Sequence, residues 1–220
     1  MSLTLYYAPD NASLAPHIAL RRIGVPFDLV MIDKSRSDQN SDWYKALNPH
    51  QRVPTLVHRN PATGDTVVRE AAAICLYLDD QFPAAGLMPP TKSRDRGVAL
   101  DWLIYLTNTV QADLMVWNYN FRYAQTDAQK ATLRELTGAR LVEMFKTADQ
   151  HLATSGPWIS GIAPSCADYF LLMLAGWGKQ FGISPLPSTN VSIRRHALAY
   201  QALPEVQAAF EAEQISVFFQ

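Results

Sequence analysis

The segment PSCADYFLLMLAGWGKQF, residues 164–181, is almost continuously apolar, and this restricts the fold more than any other stretch of the chain. A helix that is apolar on every side must be covered on every side. The run is interrupted before it reaches the roughly 20 residues of a membrane span. It is therefore expected to form the buried centre of an all-helical domain. Its start, Ser165-Cys166-Ala167-Asp168, has the S/T-x-x-[DE] form of a capping box, with Asp where Glu or Gln is usual.

Its neighbours fit that reading. Residues 93–123 carry a long helical pattern rich in aromatics: Trp102, Tyr105, Trp117, Tyr119, Phe121 and Tyr123. Thr126 and Asp127 mark the start of a further helix that extends to about Leu152. Upstream, the stretch PAAGLMPPTKSRDRG breaks the pattern with proline and glycine, which places a linker at residues 83–92.

Residues 1–82 follow another period. LTLYYA (3–8) alternates and is aromatic, as in a strand, and it stops at Pro9-Asp10-Asn11. Ser13 has N-cap character, Pro16 falls in a first helical turn, Leu14, Ile18 and Ala19 form an apolar stripe, and Gly24 ends the helix. PFDLVMID is a second strand, so the chain opens on a βαβ unit, expected to be right-handed and parallel. A short helix near Asp42–Lys45, strands at TLVH and TVVR, and a helix at REAAAICLYLDDQF complete the order β-α-β-(α)-β-β-α. The predicted architecture is an α/β domain at 1–82, a linker at 83–92 and an all-α domain at 93–220.

Charge and composition exclude other classes. The formal net charge of -1 provides no basic field for nucleic acid or anionic lipid. The start of the chain lacks the pattern of a signal peptide, and a cytoplasmic protein is expected. Cys75 and Cys166 lie far apart in apolar helical patterns, which predicts inert buried thiols. Neither the cysteines nor the five histidines show metal-ligand spacing, so no metal is assigned.

In order and spacing, the marks QRVPTLV, REAAAICLYL and SCADYFLLMLA resemble those of the cytosolic glutathione S-transferase family over essentially the whole chain. YYAPDNASLAPHIALRRIG looks closest to bacterial beta-class members, which carry Tyr-x-Pro-Gly-Ala-Cys-Ser-Leu at this place. The resemblance implies a thioredoxin-like first domain, a helical-bundle second domain and a homodimer. Glutathione is the implied co-substrate, and the implied activity is a detoxification-type transfer of its sulfur to a small hydrophobic electrophile.

The resemblance also assigns site residues. Val53-Pro54 corresponds to the family's cis bond, which turns the Val53 backbone toward glutathione. Glu70 matches a carboxylate that receives the ligand's α-ammonium group, while Ala71 stands where most members carry serine. Gln51 and Lys34, with Arg36, are the polar side chains for the ligand's carboxylates, and His50 lies close by in sequence. Ala12 replaces the beta-class cysteine, so a mixed disulfide with glutathione is not available at that position. That leaves Ser13 as the first choice to stabilise the thiolate, Asn11 as the second and Tyr7 as the third. Plain N-capping by Ser13 is the alternative. Tyr105, Gln111 and Trp117 are assigned to the pocket of the second substrate, with Gln111 where relatives place a histidine. Two other functions stay open: a glutathione or apolar-ligand carrier, and a glutathione-dependent isomerase or reductase.

Overall fold

The computed structural model describes residues 2–62, 64–161, 163–185 and 187–220. Strands β1 (Ser2–Tyr7), β2 (Asp28–Met31), β3 (Thr55–Arg59) and β4 (Thr66–Arg69) form one mixed sheet in the order β2-β1-β3-β4. β1 and β2 are parallel and joined by helix α1 (Leu14–Ile23), giving the predicted βαβ unit. β3 runs antiparallel to both β1 and β4. Alternate residues Leu3 and Leu5 of β1 are buried, as are Leu14, Ala15, Ile18 and Ala19 of α1. Gly24 closes α1 at φ 76°, its N–H donating to the Leu20 carbonyl at 3.2 Å, a left-handed position that costs glycine little. Helices α2 (Asp42–Leu47) and α3 (Ala71–Gln81) complete this set.

The helical part comprises α4 (Arg94–Tyr105), α5 (Gln111–Asn118), α6 (Asp127–Ser155), α7 (Cys166–Gln180) and α8 (Val191–Gln201). The long aromatic pattern at 93–123 is not one helix. A π-helical turn, Leu106–Val110, separates α4 from α5, and a 3₁₀ turn follows at Asn120–Arg122. α7 is the predicted centre: each residue from Cys166 to Gly178 is buried. Asp168 anchors its start. One carboxylate oxygen accepts from the Ser165 N–H at 2.8 Å and the Ser165 hydroxyl at 3.0 Å. The other accepts from the Ile159 N–H at 2.8 Å and lies 2.8 Å from His196 Nε2. The Phe218 ring lies directly against Gly176, where a Cβ would come within 2.6 Å of it.

The chain divides into two compact units. One holds the residues up to Met88 together with Leu203–Ser216, and the other holds Pro89–Ala202 and Val217–Gln220. The sequence pattern groups 93–220 as one domain. Helix α9 (Pro204–Glu213) packs instead along α1 in the first unit, burying Val206, Ala209, Phe210 and Glu213. Helical periodicity specifies an apolar face but not which neighbour covers it. Cys75 and Cys166 are buried and unbridged. Among the described residues no helix is long and apolar enough to cross a membrane.

Candidate active site

The strand register gathers the sequence-predicted residues of the first unit. Tyr6 near the end of β1 and Arg69 at the end of β4 both stand opposite Thr55, the first residue of β3. Tyr7 stands opposite Met31, the last residue of β2. One end of the sheet therefore receives the corner after Tyr7, the loop bearing Lys34, the segment that enters β3 through Val53-Pro54, and Glu70 with Ala71 at the start of α3. Six described non-glycine residues have positive φ, and three of them are here: Asp10 (51°), Gln51 (56°) and Glu70 (67°). Such backbone is held only where its surroundings enforce it, and it concentrates at functional sites.

The segment before β3 is fixed from beneath. Asn48 Nδ2 donates to the Arg52 carbonyl at 2.8 Å and to Thr55 Oγ1 at 3.0 Å, while its Oδ1 accepts from the His50 N–H at 3.0 Å. The Tyr44 hydroxyl donates to the Arg52 carbonyl at 2.7 Å, and Arg69 Nε donates to the Leu47 carbonyl at 2.8 Å. Burial raises the pKa of the Tyr44 phenol, so it stays a donor. These contacts hold Gln51 exposed and Val53 half-buried, and the Val53-Pro54 bond is cis. Glu70 is exposed, and its carboxylate has no hydrogen bond or ion pair to another described residue. Ala71 begins α3, whose first N–H groups have no partner within the helix. Arg36 is engaged with Asp33 and Asp38, each at 3.2 Å, while the His50 side chain is exposed.

The corner after β1 differs from the sequence expectation in one respect. Ser13 makes no side-chain cap bond to α1. Its hydroxyl turns back, donating to the Ala8 carbonyl at 3.0 Å and accepting from the Ala8 N–H at 3.3 Å, and it is fully buried. The strand has just ended at Ala8, and its backbone groups need partners away from water. Asn11 is half-exposed. Its Nδ2 donates to the Pro9 carbonyl at 2.8 Å, and its Oδ1 accepts from Lys34 Nζ. Tyr7 is half-buried, its phenol pKa raised first by burial and then by the nearby Glu213 carboxylate.

That carboxylate was not legible as part of a site. Glu213 Oε2 accepts from the Asp10 N–H at 3.0 Å, and Oε1 lies 2.8 Å from His17 Nδ1. His17 Nε2 in turn accepts from Arg21 Nε at 3.2 Å. His17 and Arg21 are four apart on α1, a visible pairing, but Glu213 lies 196 residues beyond His17.

The three residues assigned to a second substrate lie in the helical unit. Tyr105 ends α4 half-buried, its ring edge-on to Trp102 at 5.4 Å. Burial, then the Asp113 carboxylate, raises its pKa. Gln111 follows the π-helical turn, a feature frequent at functional sites. Trp117 is committed to the bundle: its ring fills the space beside Gly138, and its Nε1–H donates to the Phe181 carbonyl at 3.3 Å. Among the described residues no group of three or more His, Cys, Asp or Glu is arranged to hold a metal ion.

Comparison with known proteins extends this geometry. Residues 12–81 match the family described as the glutathione S-transferase N-terminal domain. The glutathione S-transferase GstA of Escherichia coli O157:H7 is 29% identical over 96% of this chain and 98% of its own. A maleylpyruvate isomerase of Ralstonia sp is 36% identical over 77% of this chain and 79% of its own. Among solved structures, a sphingomonad glutathione S-transferase complexed with glutathione superposes with a TM-score of 0.79. It is 30% identical and covers 97% of this chain and 100% of its own.

Proposed function

Because the chain belongs to the glutathione S-transferase family, we propose that it binds reduced glutathione at this sheet end and joins its sulfur to a small apolar electrophile. The observation that carries the reading is Glu70, an exposed carboxylate on backbone at φ 67°, beside the first turn of α3. It would accept from the ligand's α-ammonium group, with the N–H groups that open α3 taking the γ-glutamyl carboxylate. The half-exposed Val53 backbone would pair with the cysteinyl unit, and Gln51 and Lys34 would meet the glycyl end.

The sulfur would then lie at the corner before α1. A free thiol titrates near about 8.5. The N–H groups at a helix start, with about half a positive charge, favour its ionised form. Ser13 spends its proton on Ala8, so we assign the side-chain donation chiefly to Asn11. One Nδ2 hydrogen holds the Pro9 carbonyl, and an amide has a second hydrogen to give. Tyr7 is a further donor, its phenol kept protonated by burial. The thiol proton leaves to solvent. The sulfur lone pair forms the S–C bond, and the leaving group departs with the electrons of its own bond. With Ala12 at the cysteine position, the protein stays noncovalent and works by positioning and charge stabilisation.

A second reading, glutathione-dependent isomerisation, is favoured by the 36% identity to the maleylpyruvate isomerase. There the same thiolate would add to the substrate and leave again, so turnover would consume no glutathione. The family further implies a homodimer, which light scattering tests.

Calorimetric titration with reduced glutathione is the test. Saturable binding weakened in Glu70→Ala, with loss of bound thiolate in Asn11→Ala, is the expected result. No binding by the unmodified protein refutes the proposal. Glutathione consumed with each turnover selects conjugation over isomerisation.

A further inference from the structure

The thiol corner is anchored by a chain of three side chains, two of them wholly buried, that the chemistry above does not use. Glu213 and His17 are wholly buried at their side chains. The two oxygens of Glu213 face two different groups, the Asp10 N–H at 3.0 Å and His17 Nδ1 at 2.8 Å. Arg21 Nε points at His17 Nε2 from 3.2 Å. A guanidinium donates and never accepts, so His17 Nε2 must be the bare nitrogen and Nδ1 must carry the proton. Arg21 is itself held by stacking, its guanidinium carbon 5.1 Å from the Phe27 ring centre. The direction of donation is therefore set along the line Arg21 to His17 to Glu213, and Glu213 has to accept on both sides.

We propose that Glu213 is a positioning residue for the thiol-binding corner, acting through the Asp10 N–H, and that Arg21 fixes the His17 tautomer on which this depends. The inference rests on the reading that the corner receives a thiol. Asp10 has φ 51° and directly precedes Asn11, so holding its N–H sets the direction in which Asn11 leaves the corner. The bonds made by Asn11 itself, to the Pro9 carbonyl and Lys34 Nζ, are both exposed, whereas the Glu213 side chain that holds Asp10 is buried and its bond to the Asp10 N–H is part-buried. The anchor therefore supplies rigidity that the exposed bonds do not, and a misplacement of about 1 Å costs on the order of 10²-fold in rate.

The chain of donors yields a test that simple loss of packing does not mimic. Glu213→Gln has one acceptor oxygen and one donor nitrogen. If the nitrogen faces Asp10, two donors meet there. If it faces His17, the imidazole must move its proton to Nε2, where it meets Arg21 Nε–H. Either way one contact becomes repulsive. Arg21→Met removes that obstacle, so in the double variant His17 can carry its proton on Nε2 and the substituted amide can satisfy both neighbours.

The experiment measures hydrogen exchange at the Asp10 amide in Glu213→Gln, Arg21→Met and the double variant, with the thiolate absorbance of bound reduced glutathione read in parallel. Glu213→Gln should speed Asp10 exchange roughly ten- to hundred-fold, the worth of a hydrogen bond to a charged group, and lower the bound thiolate fraction. The double variant should return to the level of Arg21→Met on both readouts. Exchange in the double variant equal to or faster than in Glu213→Gln overturns the tautomer relay. Restored exchange with a thiolate fraction constant in every variant overturns the positioning role. If the unmodified protein binds no glutathione, the functional reading falls and the corner's assignment to a thiol falls with it. The exchange data then still decide whether Glu213 fixes Asp10.

Discussion

Replacing Ser13 by Ala separates support of the fold from contact with a ligand. The hydroxyl is wholly buried, donating to the Ala8 carbonyl at 3.0 Å and accepting from the Ala8 N–H at 3.3 Å. Its removal leaves two buried backbone groups without that partner, in a space of one oxygen atom, which is too small for a replacement water. Each such group costs about 1–3 kcal/mol. The longer of the two bonds is the weaker, so about 2–4 kcal/mol is expected in total. For a chain of this length that lowers the melting midpoint by roughly 4–16 °C, at about 2–4 °C per kcal/mol. Urea and thermal unfolding measure this, alongside glutathione titration below the transition. The variant should be markedly less stable, and while folded it should retain most of its glutathione affinity. Unfolding within about 0.5 kcal/mol of the unmodified protein, together with a lost thiolate signal, would refute the reasoning. The hydroxyl would then serve the sulfur and not the strand end.

Three further outcomes follow from individual side chains. Glu70→Gly removes a side chain from backbone at φ 67°, where a non-glycine residue costs on the order of 1–3 kcal/mol. It should melt no lower than the unmodified protein while glutathione affinity by calorimetry falls roughly ten- to hundred-fold. Asp168→Asn cannot accept from the Ser165 N–H, the Ser165 hydroxyl and the Ile159 N–H as the carboxylate does. Urea unfolding should show a loss of about 2–4 kcal/mol, since the amide nitrogen turns a donor toward one of these buried donors and each unsatisfied buried group costs about 1–3 kcal/mol. Asp113 has its pKa raised by burial, which outweighs the opposing Arg140 guanidinium 2.9 Å away. The unfolded chain therefore gives up this proton at lower pH than the folded one. The group lowers stability as pH rises from its ordinary carboxylate value through the folded value, and it has no effect below both. Asp113→Asn should raise the melting midpoint near neutral pH and leave it unchanged near about pH 2; an equal change at both would contradict the assignment.

The α/β order and the buried centre of the helical unit were legible because each rests on local periodicity. Alternation at 3–8, the stripe at Leu14, Ile18 and Ala19, and the apolar run at 164–181 all became elements of the expected kind, with β1 displaced by one residue. The capping relation of Ser165 and Asp168 was legible for the same reason, since its two residues lie three apart. The placement of α9 was not. Its packing on α1 depends on which of several amphipathic faces meets which other, and no short-range signal carries that information. The π-helical turn at Leu106–Val110 was likewise hidden, because an apolar helical pattern continues through it.

Ser13 and Asn11 show why two residues of one corner are hard to tell apart from sequence. Both are small polar residues at a strand-to-helix corner, and either could cap the helix or meet a sulfur. What separates them is the demand made by Ala8, whose N–H and carbonyl are buried where the strand stops. One hydroxyl can satisfy both, because it donates and accepts at a single atom. Asn11, held at its oxygen by Lys34 and at one amide hydrogen by Pro9, has a second amide hydrogen. The hydroxyl that most resembles a catalytic serine is thus engaged by the strand end, which is why the function proposed above assigns the donation to a thiolate to the amide two residues earlier. The N–H of Asp10, the residue before that amide, is held by Glu213 from the far end of the chain.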